Sequence, residues 1–248
     1  MGKNKDTEQL EALDELIGDG TLEEVLGTVK SGKEATVYCC RATDRHGGAL
    51  VAAKVYRTRD VRRFANDAAY RGGRDRNYER RTARAVRAGT AFGRDTAFSR
   101  WVADEYETLR LLYAAGADVP APLARSERII VMEYVGDTDA PAAPLAAVRL
   151  EPDEALVLFQ RLMGNIELAL ANDRIHGDLS PFNVLYHDRE VRIIDFPQAV
   201  DPRFNDAALS LLDRDVDNIC RYFERFGVRA DAYAISRGMW GKFLRSEL

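Results

Sequence analysis

The chain has 248 residues, 46% of them hydrophobic and 31% charged, with a formal net charge of −4. That size and balance place it among ordinary soluble globular proteins with room for one large or two-lobed domain. No run approaches the ~18 apolar residues of a membrane helix, the start Met-Gly-Lys-Asn-Lys-Asp leads into acids instead of a signal core, and Cys39, Cys40 and Cys220 have neither disulfide nor metal-ligand spacing; the expected address is the cytoplasm, with no membrane.

Leu10, Leu13, Leu16 and Ile17 recur at helical spacing before Gly18 and Gly20, which predicts a short lead-in helix with a packing role inside 1–26. Gly27-Thr-Val-Lys-Ser-Gly-Lys-Glu-Ala-Thr-Val-Tyr then matches seven of the eight positions of a P-loop. The eighth fails, because Glu34 stands where a magnesium-binding hydroxyl is needed and a strand-like run follows where that motif needs a helix. The other reading is a β-hairpin whose tip, carrying Lys30, Ser31, Gly32 and Lys33 before Glu34, folds over phosphates as a kinase glycine-rich loop does. A plain exposed hairpin with no ligand stays open beside it.

Val51-Ala-Ala-Lys54-Val-Tyr is a strand with a lysine inside an apolar run, and a buried lysine needs a partner. In a kinase its partners are the α- and β-phosphates and a glutamate on the following helix. Trp101, Val102, Tyr106, Leu109, Leu112 and Tyr113 mark such a helix, stopped at Gly116, with Glu105 beside the stripe. Between them lies an insertion, 57–100, with 13 Arg, no Lys and five acids, a charge of +8 against −12 for the rest of the chain. Only short helical stretches are expected there, around 61–69 and 80–88. Arg without Lys suits phosphate contacts, so a nucleic-acid partner is weighed against a solvated loop.

Pro120-Ala-Pro-Leu and Ile129-Ile-Val-Met-Glu-Tyr-Val predict two strands; in a kinase-like lobe Met132 borders the adenine pocket, and the backbone of Glu133 and Val135 meets the base. The Ala- and Pro-rich stretch 137–150 reads as a loose connection. A strongly periodic helix from Leu156 to Leu170 leads to His-Gly-Asp-Leu-Ser-Pro-Phe-Asn-Val-Leu-Tyr at 176–186 and, past a turn at 187–190, to Ile194-Asp-Phe-Pro-Gln-Ala-Val. Asp178 and Asn183, five residues apart, with Asp195 returned by a hairpin, form the arrangement that phosphoryl transfer from ATP requires. One Asp accepts the proton of the attacking hydroxyl; the Asn and the other Asp hold metal ions against the β- and γ-phosphates. Helices follow around 209–226 and 233–244. The order predicts an α+β, bilobal protein-kinase-like fold, with 1–26 as lead-in, 27–136 as a mainly-β N-lobe and 137–248 as a mainly-α C-lobe.

Nearly the whole chain resembles the atypical RIO protein kinases, most closely the RIO1 type and its bacterial relatives. The resemblance rests on Ser31-Gly-Lys-Glu-Ala, Lys54-Val-Tyr, Trp101 to Glu105 and the following Leu-Tyr-Ala-Ala-Gly-Ala-Asp-Val-Pro-Ala-Pro, Met132-Glu-Tyr, His176-Gly-Asp-Leu-Ser, Ile194-Asp-Phe-Pro-Gln and Leu212-Asp-Arg-Asp-Val-Asp-Asn-Ile. It implies a serine/threonine kinase that uses ATP and Mg2+ or Mn2+, acting on a protein or on itself. Asp178 would be its base, Asn183 and Asp195 its metal ligands, and Lys54 and Glu105 an ion pair. Pro181 departs from the family, which usually has an acid there, and this bears on metal geometry. Two other functions compete: an ATPase switch that binds ribosomal RNA or a pre-ribosomal particle through 57–100, in which the resemblance implies phosphorylation of Asp195 during turnover, and a small-molecule phosphotransferase sharing 176–183.

Overall fold

A computed structural model of the chain describes residues 5–57, 84–86 and 88–248, with side chains from residue 9 onward. The expected helical stretch at 61–69 and most of the Arg-rich insertion lie outside the described residues. The chain divides into two compact units. The first holds the described residues up to 57, those of 84–107, and Ala121–Tyr134; the second holds Thr108–Pro120 and Val135–Leu248. Together they give the bilobal α+β kinase-like fold.

In the first unit an antiparallel sheet has the order β1-β2-β3-β5-β4, from strands Leu22–Ser31, Ala35–Ala42, Leu50–Tyr56, Pro122–Arg125 (β4) and Ile129–Glu133 (β5). Side chains alternate across the strands, and the alternation decides what each face does. Tyr38, Cys40, Ala42, Val51, Ala53, Val55, Ile129 and Val131 point one way, where Leu13 and Leu16 of helix α1 (Lys5–Gly18) complete a closed apolar cluster. Gln9, 2% exposed, takes the hydroxyls of Thr36 (3.1 Å) and Tyr38 (3.2 Å) on its Oε1. Lys54 and Tyr56, two apart, share the other face.

Helix α2, Ala91–Ala114, starts ten residues before the apolar stripe. Thr90 caps it, accepting the Gly93 N–H at 3.0 Å. Gly93 has no side chain because one would collide with the backbone of Ala85, whose oxygen would lie 2.2 Å from an added Cβ. The last residues of the expected insertion are therefore the first turns of this helix.

In the second unit, helices α3 (Pro152–Ala171), α4 (Ala208–Glu224) and α5 (Ala232–Leu244) pack with a small sheet, β6-β7-β8 (Ala143–Pro144, Val184–His187, Glu190–Ile193). Leu158, Leu162, Leu170, Val191, Ile219 and Phe223 are its core. Asp188 and Arg189, both at positive φ (49° and 64°), make the tight two-residue β7–β8 turn that the sequence placed at 187–190.

The stretch 137–150 is more ordered than a loose connection. Gly136 (φ 144°) turns where a Cβ would lie 2.6 Å from the Ala140 oxygen, Ala143–Pro144 pairs with β7, and the buried Leu145 carbonyl accepts the Tyr222 hydroxyl at 2.5 Å. Ala- and Pro-rich composition hid this, because the order comes from tertiary contacts that a composition argument does not see. Among the described residues no helix is long and apolar enough to cross a membrane.

Candidate active site

The expected nucleotide-side residues sit where the sequence placed them along the chain. Lys30 and Ser31 end β1, and Gly32 and Lys33 form the hairpin tip, closed by Gly32 N–H to Ala35 O at 2.9 Å. A strand, β2, begins at Ala35, so the P-loop reading fails on the element that follows it. Arg57, just past β3, grips the tip by donating to Ser31 Oγ (2.9 Å) and Thr36 Oγ1 (3.0 Å).

Lys54, 8% exposed, donates to Glu105 Oε1 at 2.7 Å, and Glu105 is 5% exposed. The expected ion pair is formed. Its other carboxylate oxygen, Oε2, accepts a hydrogen bond from the hydroxyl of the fully buried Tyr56. Sequence reasoning missed Tyr56, although its i+2 spacing from Lys54 on a strand was signal enough. Met132 and Glu133 close β5. The Glu133 N–H is bound to Ala121 O (2.8 Å), and the Val135 carbonyl accepts the Ala142 N–H (2.9 Å).

In the second unit, the loop 176–183 is held almost entirely by its own backbone groups. Asp215 of α4, 1% exposed, accepts the N–H groups of Gly177 and Leu179, both at 2.8 Å. Asn218 one turn on donates to Leu179 O at 2.9 Å, and Arg214 donates to Gly177 O. Three residues of one helix thus clamp both flanks of Asp178. A His176 ring with its proton on Nε2 satisfies both neighbours, donating to Ile194 O (3.1 Å) while Nδ1 accepts the Asp178 N–H (3.3 Å). Asp178 keeps its carboxylate toward solvent, touched by Gln198 Nε2 at 3.4 Å.

Pro181 proves compatible with this geometry. It opens the 3-10 turn Pro181–Asn183, where its fixed φ is an advantage, and Asn183 N–H reaches Ser180 O at 2.9 Å. Asn183 Nδ2 donates to Asp178 O (2.9 Å), so the atom it can offer a cation is Oδ1. Its carbonyl accepts the Ile194 N–H at 2.9 Å, which brings the end of β8 alongside. The preceding Ile193 N–H is held by Asp118 O (2.8 Å), and Asp118 itself is gripped by two Arg161 bonds of 2.7 Å and one from Asn165. Asp195 follows, exposed and at φ 73°, a left-handed conformation that re-aims the chain as it leaves the strand.

Burial pushes the Asp178 carboxyl up from its ordinary value; Arg214 pulls the other way and the negative charge of Asp195 adds to the rise. Asp215 is pushed up to about 6, by burial above all, against the two N–H bonds and Arg214 that favour its charge. A carboxylate and a carboxamide oxygen, both hard donors and few in number, fit Mg2+ or Mn2+ with phosphate oxygens and water filling the remaining positions.

Residues 36–235 match the family model described as RIO domain. The chain belongs to the RIO kinase family. It is 33% identical over 223 residues to the RIO-type serine/threonine-protein kinase Rio1 of Haloferax volcanii, covering 89% of this chain and 70% of that one. To the serine/threonine-protein kinase rio1 of Schizosaccharomyces pombe it is 30% identical over 237 residues, 94% of this chain and 44% of the yeast one. The RIO1 kinase of Homo sapiens is 30% identical over 211 residues, 84% of this chain and 35% of the human one. The chain therefore spans less than half the length of these two eukaryotic relatives. The RIO match contains Lys54, Glu105, Asp178, Asn183 and Asp195 but begins after the hairpin tip.

Proposed function

We propose that this RIO kinase transfers the γ-phosphoryl group of ATP to a serine or threonine hydroxyl, on itself or on a protein. The observation that carries the reading is the clamp on 176–183, which bonds the backbone on both flanks of Asp178, with Asn183 bonded to the Asp178 carbonyl and Ile194, next to Asp195, bonded to Asn183 and His176. Asp178 receives the proton of the acceptor hydroxyl as its oxygen bonds to the γ-phosphorus and the bond to the bridging oxygen breaks. Asn183 Oδ1 and the Asp195 carboxylate would hold the divalent ion, which would supply charge neutralisation for the phosphates. Lys54 directs its remaining protons to the α- and β-phosphates, while Lys30, Ser31, Gly32 and Lys33 cover the phosphate tail. The adenine lies against Met132 and takes its two edge bonds from Glu133 and Val135.

The test separates base from metal ligand. Asp178→Ala is expected to lower phosphoryl transfer by roughly 10²–10⁴ while magnesium-dependent ATP binding survives. Asp195→Ala is expected to weaken both. Full activity in either variant overturns the assignment.

A further inference from the structure

Glu105 has two carboxylate oxygens, and strand β3 supplies a donor to each: Lys54 Nζ to Oε1 and the Tyr56 hydroxyl to Oε2. The donors are neighbours on one face of the strand, and Lys54 Nζ lies over the Tyr56 ring at 4.9 Å from its centre. Tyr56 is fixed in turn. It has no exposure, its N–H is bound to Arg128 O at 2.9 Å, and its ring meets Trp101 of α2 edge-on at 4.9 Å, interplanar angle 74°. Trp101 lies four residues, one turn, before Glu105 on the same helix.

A lysine–glutamate pair held by a single contact leaves the carboxylate free to turn about its Cγ–Cδ bond, and each turn moves the lysine head. A second donor of fixed position removes that freedom, since a planar carboxylate with both oxygens engaged has one orientation. The ring contact does the same for the helix, because Trp101 and Glu105 both rest on one strand residue.

We infer that Tyr56 is a positioning residue for phosphoryl transfer, holding Glu105 so that Lys54 meets the phosphates in one orientation before any nucleotide or partner arrives. The inference rests on the proposed role of Lys54 toward ATP. Its physical consequence is specific. The orientation of Lys54 matters most where charge develops on the phosphates, so loss of the hydroxyl should act on the chemical step more than on nucleotide capture.

The experiment compares Tyr56→Phe, which keeps the ring and its Trp101 contact, with the parent, with Lys54→Met, and with Glu105→Gln alone and combined with Tyr56→Phe. Thermal unfolding is followed on every variant. Tyr56→Phe is expected to lower kcat about tenfold, the scale of one hydrogen bond to a charged group, with KM for ATP changed less than about threefold. In the Glu105→Gln background the same substitution should change kcat less than about twofold, because the carboxylate it orients is gone. An unchanged kcat in Tyr56→Phe, a rise in KM alone, or an undiminished tenfold factor in the Glu105→Gln background overturns the inference. Where Glu105→Gln turns over too slowly to read, the split between kcat and KM in Tyr56→Phe decides. Full activity of Lys54→Met is a different failure, since it removes the proposed function of the lysine and leaves Tyr56 with nothing to position.

Discussion

As the proposed base, Asp178 must be ionised to accept a proton, yet burial and the charge of Asp195 both favour its neutral form. A group with a raised pKa stays protonated to higher pH, so the acid limb of kcat/KM should lie above the ordinary carboxylate value of about 3.9. A pH–rate profile checks this, and full activity persisting to about pH 4 would contradict it. Asp215 gives the corresponding stability argument. Its folded pKa, about 6, exceeds the unfolded value near 3.9, so between those limits the folded chain holds a proton that the unfolded chain has released. The resulting stabilisation is complete below the unfolded pKa and is lost as pH rises through about 6. Unfolding free energies of the parent and Asp215→Asn should therefore differ by an amount that moves against the parent from about pH 4 to pH 6. A difference that is flat or moves the other way contradicts the assignment. The same variant should also lose turnover, because an amide cannot accept from both Gly177 and Leu179 with the strength of a carboxylate.

At the scale of elements, the strands, the long helices and the β7–β8 turn were legible because each carries a period or a turn signal local to itself. The Lys54–Glu105 pair was legible because a lysine inside an apolar strand needs a partner. Less legible were features whose cause is distant in sequence. Thr90 is an ordinary cap, but it was hidden in a charged segment, and the Asp215 clamp lies 36 to 38 residues from the backbone it holds. The ordering of 137–150 belongs to the same class. If that segment is held as described, Tyr222→Phe leaves the buried Leu145 carbonyl short of its 2.5 Å donor and should cost about 1–2 kcal/mol in chemical denaturation. No change in the midpoint would mean that the segment is loosely attached.

For the whole molecule, charge is segregated along the sequence: +8 within 57–100 and −12 elsewhere. If the segment neutralises about five phosphates of an RNA, log affinity should fall with log salt at a slope near −3.5 to −4.5. Replacing Arg71, Arg74, Arg76, Arg80 and Arg81 by Ser should flatten that slope, and identical slopes in the variant and the parent would remove RNA as the partner. The Lys54–Glu105 pair itself is made between β3 and α2. The central claim is that phosphate leaves ATP for a hydroxyl under the control of Asp178. The most direct measurement incubates the pure protein with ATP labelled on the γ-phosphate and Mg2+ or Mn2+, then locates the label by mass spectrometry. The account predicts phosphoserine or phosphothreonine on this chain or an added protein, strongly reduced in Asp178→Ala; label found only as free phosphate or as an acyl phosphate on Asp195 would contradict it and leave an ATPase switch.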